Sequence, residues 1–305
     1  MGTPDLAASI LKQIIEAGHE IIAVVTQPDK EKGRGKALSF SPVKVLALEC
    51  GLPIYQPVKV RDPEFVRTVK ELAPEVIVVA AFGQLLPREL LDIPPEGCIN
   101  VHTSLLPKYR GAAPIQYAII NGERETGVTI MYMDVGLDTG DIILQRGIEI
   151  AKNETGGSLH DKLADLGAKL LLEALDQIKA GTAKRHPQED AGASYVKMLD
   201  KDMGNIDFTA PAEKIERLIR GLNPWPSAFT RLDGKTLKLW SAEVEDIGTG
   251  AEPGVVIGTR KDSILVATGE HALVIKELQL EGKKRMTADA FLRGYPVETG
   301  KRLGI

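Results

Sequence analysis

Apolar residues in the first part of the chain form short continuous runs that alternate with segments of helical periodicity. The runs have the length of strands and little polar interruption, which is typical of parallel strands buried on both faces; they cover residues 20–26, 75–81, 98–101 and 128–133. Helical spacing is found at residues 6–15, 42–50, 62–72 and 115–121. This alternation predicts an α/β fold with a Rossmann-like, mostly parallel sheet.

The pattern changes after a long amphipathic helix predicted over residues 158–180. Residues 183–203 are polar and mixed, and we interpret them as a linker. A helix is then predicted at 211–222, followed by strand-length runs at 236–244, 254–259, 263–267 and 272–280. Short strands at this spacing indicate a small β-barrel. The sequence therefore predicts a catalytic domain over 1–182, the linker over 183–203 and a second domain over 204–305.

Composition and charge narrow the class of protein. The chain has 305 residues, of which 43% are hydrophobic and 26% charged, as in soluble globular proteins. No run approaches the roughly 18 apolar residues of a membrane helix, and no signal-peptide pattern opens the chain. Two cysteines make no disulfide framework, and no spacing suggests a metal site, so we expect a cytoplasmic protein without metal. The net charge of −4 permits RNA binding at local basic clusters without requiring it.

Candidate chemistry is concentrated where two predicted strands end. Asn100 and His102 lie two residues apart, so in a strand both side chains leave the same face. Asp138 lies in a loop that follows the run at 128–133. On neighbouring strand ends, an amide, an imidazole and a carboxylate would suit acyl-type transfer. Considered alone, His102 is more simply interpreted as a structural residue, and the loop that contains Asp138 as an ordinary turn.

Several motifs together resemble one family, the folate-dependent formyltransferases. Its two signatures resemble Asn100-Val-His102 with Ser104-Leu-Leu-Pro107 and Arg110-Gly111, and Leu137-Asp138-Thr-Gly140. Further matches point to the branch that formylates initiator tRNA: Gly2-Thr-Pro-Asp5, Thr26-Gln-Pro-Asp29, Gly33-Arg-Gly-Lys36, Gly111-Ala-Ala-Pro-Ile115 and Asn223-Pro-Trp-Pro226. The matches continue to Lys283-Lys-Arg-Met286 and so cover essentially the whole chain.

The resemblance implies that the formyl group of 10-formyltetrahydrofolate, a cosubstrate, is transferred to the α-amino group of methionyl initiator tRNA for translation initiation. It implies catalytic roles for Asn100, His102 and Asp138. Asn100 and a protonated His102 would donate hydrogen bonds to the oxyanion of the tetrahedral species. Asp138 would keep His102 charged and help to move the proton from the amine to the leaving nitrogen. No metal is required.

Binding residues are also implied by the resemblance. The folate would be bound by Ser104, Leu105, Leu106, Pro107, Gln84 and Leu85. The tRNA would be bound by Arg34 and Lys36 of a basic loop, Arg34 being the more important, and by Lys283, Lys284 and Arg285 of an OB-like barrel domain. Trp225 has two interpretations, a rigid turn at the domain interface or a stacking surface for RNA. We expect a monomer that does not bind membranes.

One expectation and three rival functions stay open at this point. The resemblance implies a buried strand before Gly2, so the sequence begins a strand late. An enzyme that formylates an amino-sugar nucleotide would share the three catalytic residues, although the basic loop and the barrel domain argue against it. A non-catalytic nucleic-acid-binding module would leave Asn100, His102 and Asp138 unexplained. A dinucleotide-dependent dehydrogenase would need a glycine fingerprint that the sequence lacks.

Overall fold

The structure, a computed structural model, describes residues 1–32 and 37–304. Two units are formed, each from several stretches of the chain. The first contains Met1–Pro114, Glu125–Glu149 and His160–Lys197, and the second contains Ile115–Arg124, Ile150–Leu159 and the chain from Met198. Within the described residues, no helix combines the length and apolar character needed to cross a membrane.

Short strands and helices alternate through the first unit. In chain order they are α1 (Asp5–Glu16), β1 (Val24–Val25), β2 (Lys30–Lys32), β3 (Ala37–Ser39), α2 (Pro42–Glu49), β4 (Ile54–Tyr55), α3 (Pro63–Leu72), β5 (Ile77–Val79), α4 (Arg88–Leu91), β6 (Cys98–His102), β7 (Arg110–Gly111), α5 (Pro114–Ile120), β8 (Glu125–Tyr132), β9 (Ile142–Glu149), α6 (Gly156–Lys179) and β10 (Tyr195–Val196). Helix α5 continues into the second unit, and α6 begins in it.

Local sequence signals explain where two of these helices begin. Ser41 accepts a hydrogen bond from the Lys44 amide before α2, and Asp62 accepts one from the Glu64 amide before α3. A proline occupies the first turn of each helix, where its missing N–H costs nothing. Both predicted helices are therefore confirmed to within two residues at either end.

The central sheet of the first unit is mixed. Its order is β5-β6-β8-β9, in which β5 and β6 are parallel while β8 and β9 run antiparallel. Strands β1 and β4 form a separate parallel pair. The Gly2 amide donates to the Val25 carbonyl at 2.9 Å, and Gly2 bridges Ala80 in parallel. The first residues thus lie between β1 and the end of β5, where the resemblance implied a strand.

One face of the sheet is covered by α6. A Cβ atom on Gly167 would lie 3.0 Å from Val101 Cγ1 and 3.6 Å from Val128 Cγ1, so the helix backbone approaches both strands closely. Since side chains alternate along a strand, Asn100 and His102 lie on the opposite face. The amphipathic helix predicted over 158–180 is confirmed, and its apolar side chains form a buried row there.

Most of the segment interpreted as a linker packs on the first unit. His186 exchanges two backbone hydrogen bonds with Ile142, at 2.8 and 3.0 Å. Strand β10 then pairs in parallel with β7. We call residues 186–196 the strap. Its backbone hydrogen bonds hold it against Ile142 and β7, and the linker bounds 183–203 stay a prediction.

The second unit is built on an antiparallel sheet. Its remaining elements are α7 (Ala212–Gly221), β11 (Ala228–Leu232), β12 (Lys235–Glu245), β13 (Val256–Arg260), β14 (Ser263–Ala267), β15 (Ala272–Leu280), β16 (Met286–Thr287) and α8 (Ala288–Gly294). The strand order is β11-β12-β15-β14-β13, with β16 on β15. In the part of the chain that the structure describes, this ladder does not close between β11 and β13. Ile215 and Ile219 of α7 are buried in its core.

Candidate active site

A well-defined hydrogen bond holds His102 at the end of β6. Only 6% of the residue is exposed, and its Nε2 lies 2.9 Å from the Tyr109 carbonyl oxygen. A carbonyl can only accept, so Nε2 carries the proton of this bond. Tyr109 adopts a left-handed backbone conformation with φ of 63°, and its carbonyl is the ring's partner. The remaining ring nitrogen, Nδ1, is therefore the one left for proton transfer.

Asp138 faces that nitrogen. Its Oδ2 lies 3.7 Å from His102 Nδ1 and accepts a hydrogen bond of 2.8 Å from the Gly111 amide. The first distance suits an ion pair but is too long for a hydrogen bond. Both side chains are largely buried, with 7% and 13% exposure. The pair thus places a carboxylate beside the ring nitrogen that is not bound to Tyr109, and its catalytic role stays a prediction.

The route by which Asp138 reaches His102 differs from our expectation. We placed both residues on neighbouring strand ends, which requires parallel strands. Strands β6 and β8 are antiparallel, and Ile99 pairs with Tyr132, so β8 ends beside the beginning of β6. The loop of residues 133–141 between β8 and β9 instead folds back over the sheet. That expectation about strand ends was wrong, but the predicted residues do meet.

Asn100 lies on the same sheet face as His102 and is half-buried. In the ladder it is opposite Val79 of β5 and Met131 of β8. An asparagine amide offers two N–H donors, and from the middle strand it faces the side of the sheet on which His102 and the folded-back loop lie. Its role as an oxyanion donor stays a prediction.

The residues expected to bind folate have local partners in the structure. Ser104 is fully buried and donates to the Lys108 carbonyl at 2.7 Å. The Leu106 amide donates to Thr129 Oγ1, and the Leu106-Pro107 peptide bond is cis. Half-buried Leu105 lies between these two anchored residues. Two hydrogen bonds thus fix this turn beside His102, and its contact with folate stays a prediction.

Gln84 and Leu85, also expected at the folate site, point to different surroundings. The Gln84 side chain accepts a hydrogen bond of 3.0 Å from the Val60 amide, so it fastens the neighbouring loop. Leu85 is 64% exposed. An exposed leucine can cover a flat apolar ligand, whereas the Gln84 amide already has a partner. Their roles in folate binding stay predictions.

Of the residues expected to bind tRNA, Arg34 and Lys36 lie outside the described residues. On either side of them, β2 and β3 pair as an antiparallel hairpin. A partly buried network that we did not predict anchors the start of this hairpin. Lys44 Nζ donates to Asp29 and, at 2.8 Å, to Gln56, and Gln56 donates to Asp29 at 2.9 Å. These bonds hold the pKa of Asp29 below its ordinary value, with Lys44 the largest cause.

The basic residues of the second unit lie at its surface. Lys283, Lys284 and Arg285 are all exposed. Arg285 donates to Glu277 at 2.9 Å, and its guanidinium lies 5.1 Å from the Trp240 ring centre. Trp225 is 54% exposed, which leaves its ring available for stacking. These exposed groups fit contact with phosphates and bases, which stays a prediction.

Two residues near the site were not predicted from the sequence, although one of them belongs to the motif Arg110-Gly111. Arg110 is 2% exposed, and Gln188 lies in the strap that we interpreted as linker. The guanidinium donates to Gln188 Oε1, Asp190 Oδ1 and the Tyr195 hydroxyl. Burial would lower the pKa of Arg110, but the hydrogen bonds with Tyr195 and Asp190 outweigh it and raise that pKa. The available signal was an arginine directly before the uncharged run of residues 111–122.

No metal site is evident in the parts of the chain described, residues 1–32 and 37–304, since no three His, Cys, Asp or Glu side chains are grouped to hold an ion. The residues around His102 instead supply hydrogen-bond donors, an imidazole and a carboxylate. This donor set is suited to acid–base chemistry at an acyl group.

Comparison with known proteins identifies the family. Residues 1–175 match the family model described as Formyl transferase, and residues 198–296 match Formyl transferase, C-terminal domain. A methionyl-tRNA formyltransferase of Agathobacter rectalis is 54% identical over 300 residues, covering 98% of this chain and 97% of the relative. One of Clostridioides difficile is 52% identical over 304 residues, covering 100% and 98%.

Solved structures with low sequence identity share the fold. An N-formyltransferase from Helicobacter canadensis, in complex with folinic acid and dTDP-3-aminofucose, aligns with a TM-score of 0.67 at 19% identity, over 93% of this chain and 97% of that one. HypX from Aquifex aeolicus, in complex with tetrahydrofolic acid, aligns with a TM-score of 0.59 at 19% identity, over 85% and 47%. Together with the matched family models and the curated relatives, the arrangement of Asn100, His102 and Asp138 leads to one conclusion: this chain belongs to the formyl transferase family.

Proposed function

We propose that the protein transfers the formyl group of 10-formyltetrahydrofolate to the α-amino group of methionyl initiator tRNA. The observation that carries the chemistry is the fixed orientation of His102, whose Nε2 is bound to Tyr109 while Nδ1 faces Asp138 at 3.7 Å. The acceptor is supported by the curated relatives, which carry the name methionyl-tRNA formyltransferase at 54% and 52% identity along the whole chain.

The reaction begins with attack by the neutral amine on the formyl carbon. Free α-amino groups have pKa values of about 8, so the neutral form is accessible near neutral pH. The new C–N bond leaves a negative oxygen on the tetrahedral carbon, to which the Asn100 amide donates. Collapse breaks the bond from carbon to N10 of the donor. The proton lost by the amine is taken up by N10, so no other reactant is consumed.

His102 and Asp138 account for the movement of that proton. Because Nε2 is occupied by the Tyr109 carbonyl, Nδ1 exchanges the proton. The Asp138 carboxylate stabilises the ring while it is charged, and the Gly111 amide fixes one carboxylate oxygen in place. A distance of 3.7 Å leaves the proton free to move to the reacting groups instead of being held in a short hydrogen bond.

The tRNA acceptor requires positive charge outside the catalytic face. Exposed Lys283 and Lys284 would supply it in the second unit, and Arg34 and Lys36 would supply it in the first. Contacts of this kind are made to phosphates and weaken with salt. A Lys284→Glu variant should therefore raise the KM for tRNA most at low salt. The difference from wild type should shrink at high salt, where the wild-type contact is itself weakened, while the KM for the folate donor stays the same.

The deciding experiment offers labelled 10-formyltetrahydrofolate with four separate acceptors: methionyl initiator tRNA, methionyl elongator tRNA, free methionine and a nucleotide-linked amino sugar. Label on the initiator tRNA alone is the expected result. Label on the amino sugar and not on tRNA would refute the acceptor while keeping the chemistry. No loss of formyl from the donor with any acceptor would refute both.

We also propose that the protein acts as a monomer in the cytoplasm. Each catalytic group described above comes from one chain, so the chemistry does not call for a second copy. Light scattering during gel filtration should give the mass of a single chain at micromolar concentration. A stable mass of two chains would contradict the proposal.

A further inference from the structure

The loop of residues 133–141 is tied to the sheet face by one side chain from the strap. Gln188 Nε2 donates to the Asp138 carbonyl at 2.9 Å and to the Gly140 carbonyl at 2.8 Å. Gln188 Nε2 also lies 3.8 Å from Sδ of Met131, the residue of β8 that pairs with Asn100. Both N–H donors of one amide are thus used on the backbone around Asp138.

Arg110 fixes the direction in which that amide points. Its Nε and Nη2 lie 3.2 and 2.9 Å from Gln188 Oε1. A guanidinium has donors and no acceptor, so only the oxygen of the Gln188 amide can face it. The NH₂ group must then face the loop. Since Asp190 and Tyr195 hold Arg110 in turn, the whole arrangement is determined by the strap.

We propose that Gln188 and Arg110 are positioning residues that hold the Asp138 loop over His102. The inference rests on the proposed roles of His102 and Asp138. Because the loop leaves β8 beside the beginning of β6, nothing in the strand order brings Asp138 to His102. The two carbonyl contacts from Gln188 do so, together with the bond from the Gly111 amide to the carboxylate. Neither Gln188 nor Arg110 takes part in the chemical step.

The test uses Gln188→Glu in the full chain. The carboxylate still accepts from Arg110, but it cannot donate and it faces two carbonyl oxygens. Turnover should fall about 100-fold, because misplacing a reacting group by roughly 1 Å costs about that much in rate. The KM for the folate donor should change by less than about threefold. Gln13→Glu on α1 adds the same charge away from the site and should keep wild-type turnover. Gln188→Leu, which removes both contacts, is the second variant should the first fail to fold.

Hydrogen exchange of two neighbouring amides separates positioning from general loosening. The Gly111 amide is protected by Asp138 Oδ2, and the Ala112 amide by the Val196 carbonyl at 3.2 Å. In Gln188→Glu, the Gly111 amide should exchange at least about tenfold faster than in wild type, and the Ala112 amide should exchange at the wild-type rate. This is the result expected when only the contact between Asp138 and Gly111 opens. Faster exchange at both amides would mean that the strap has detached, which overturns the proposal.

The outcomes also separate this inference from the proposed function. Wild-type turnover and wild-type exchange at Gly111 in the variant would overturn the inference alone. If the wild-type protein formylates no tRNA, the proposed function fails, and the exchange rates still show whether Gln188 holds the Asp138 loop in place.

Discussion

Replacing Asp138 by asparagine tests the charge of the active site without changing its shape. The asparagine oxygen can still accept from the Gly111 amide, so the loop stays in place. What is lost is the attraction between a carboxylate and a protonated His102. For unit charges 3.7 Å apart and an effective dielectric constant near 20, this attraction is about 4.5 kcal/mol.

That energy converts into a loss of rate. Each 1.36 kcal/mol is a factor of ten, so Asp138→Asn should lower kcat on the order of 10³-fold. The two side chains are largely buried, so added salt should screen the wild-type pair little and leave the ratio of wild-type to variant kcat nearly unchanged. The assay is formyl transfer to methionyl initiator tRNA, with kcat and both KM values measured, and a thermal melt to show that the variant is folded.

Asp134→Asn is the matched control. Asp134 belongs to the same loop and loses the same charge, but it is exposed, and its side chain accepts hydrogen bonds from the Gly136 amide and the Thr139 hydroxyl. Its turnover should stay within about threefold of wild type. The reasoning would be refuted if Asp138→Asn kept more than a tenth of the wild-type kcat. It would be refuted equally if both variants lost the same amount, because the effect would then come from the net charge of the loop.

Three further predictions concern other parts of the molecule. Gly111→Ala places a Cβ 2.3 Å from the Val196 carbonyl oxygen, at a backbone φ of 112°. The free energy of unfolding, measured in urea, should therefore fall by about 2 to 4 kcal/mol, and turnover should fall as well. An unchanged urea midpoint would contradict this. Asp29→Asn removes the charged partner of Lys44. Since folding lowers the pKa of Asp29, the variant should be less stable than wild type at pH 7, and this difference should shrink as the pH falls below 3.8, the ordinary pKa of the group. Equal urea midpoints of the two proteins at pH 7 would disprove this. Leu273→Ala, in the core of the second unit, should lower the free energy of unfolding by about 2 to 5 kcal/mol. The KM for the folate donor should stay unchanged at 25 °C, and a raised donor KM would contradict separate roles for the two units.

Strands whose residues are nearly all buried could be read from the sequence. Every residue of β14 is buried, and the predicted bounds 263–267 and 272–280 agree with those of β14 and β15. Strand β9 was not predicted, because it lies at the sheet edge and half its side chains are polar or exposed. Its apolar pattern is therefore too weak to distinguish it from a loop. Burial on both faces is what makes a strand visible in the sequence.

Residue types and motifs together predict catalytic roles for Asn100, His102 and Asp138, since few side chains can donate to an oxyanion or carry a proton. Only the tertiary structure decided how they meet. The loop folds back because Gln188, Arg110 and Gly111 hold it, and Gln188 is 78 residues from Arg110 and 50 from Asp138. Hydrogen bonds between such distant positions follow no period along the chain. The sequence therefore determined the chemistry of the site, and long-range backbone and amide contacts determined its geometry.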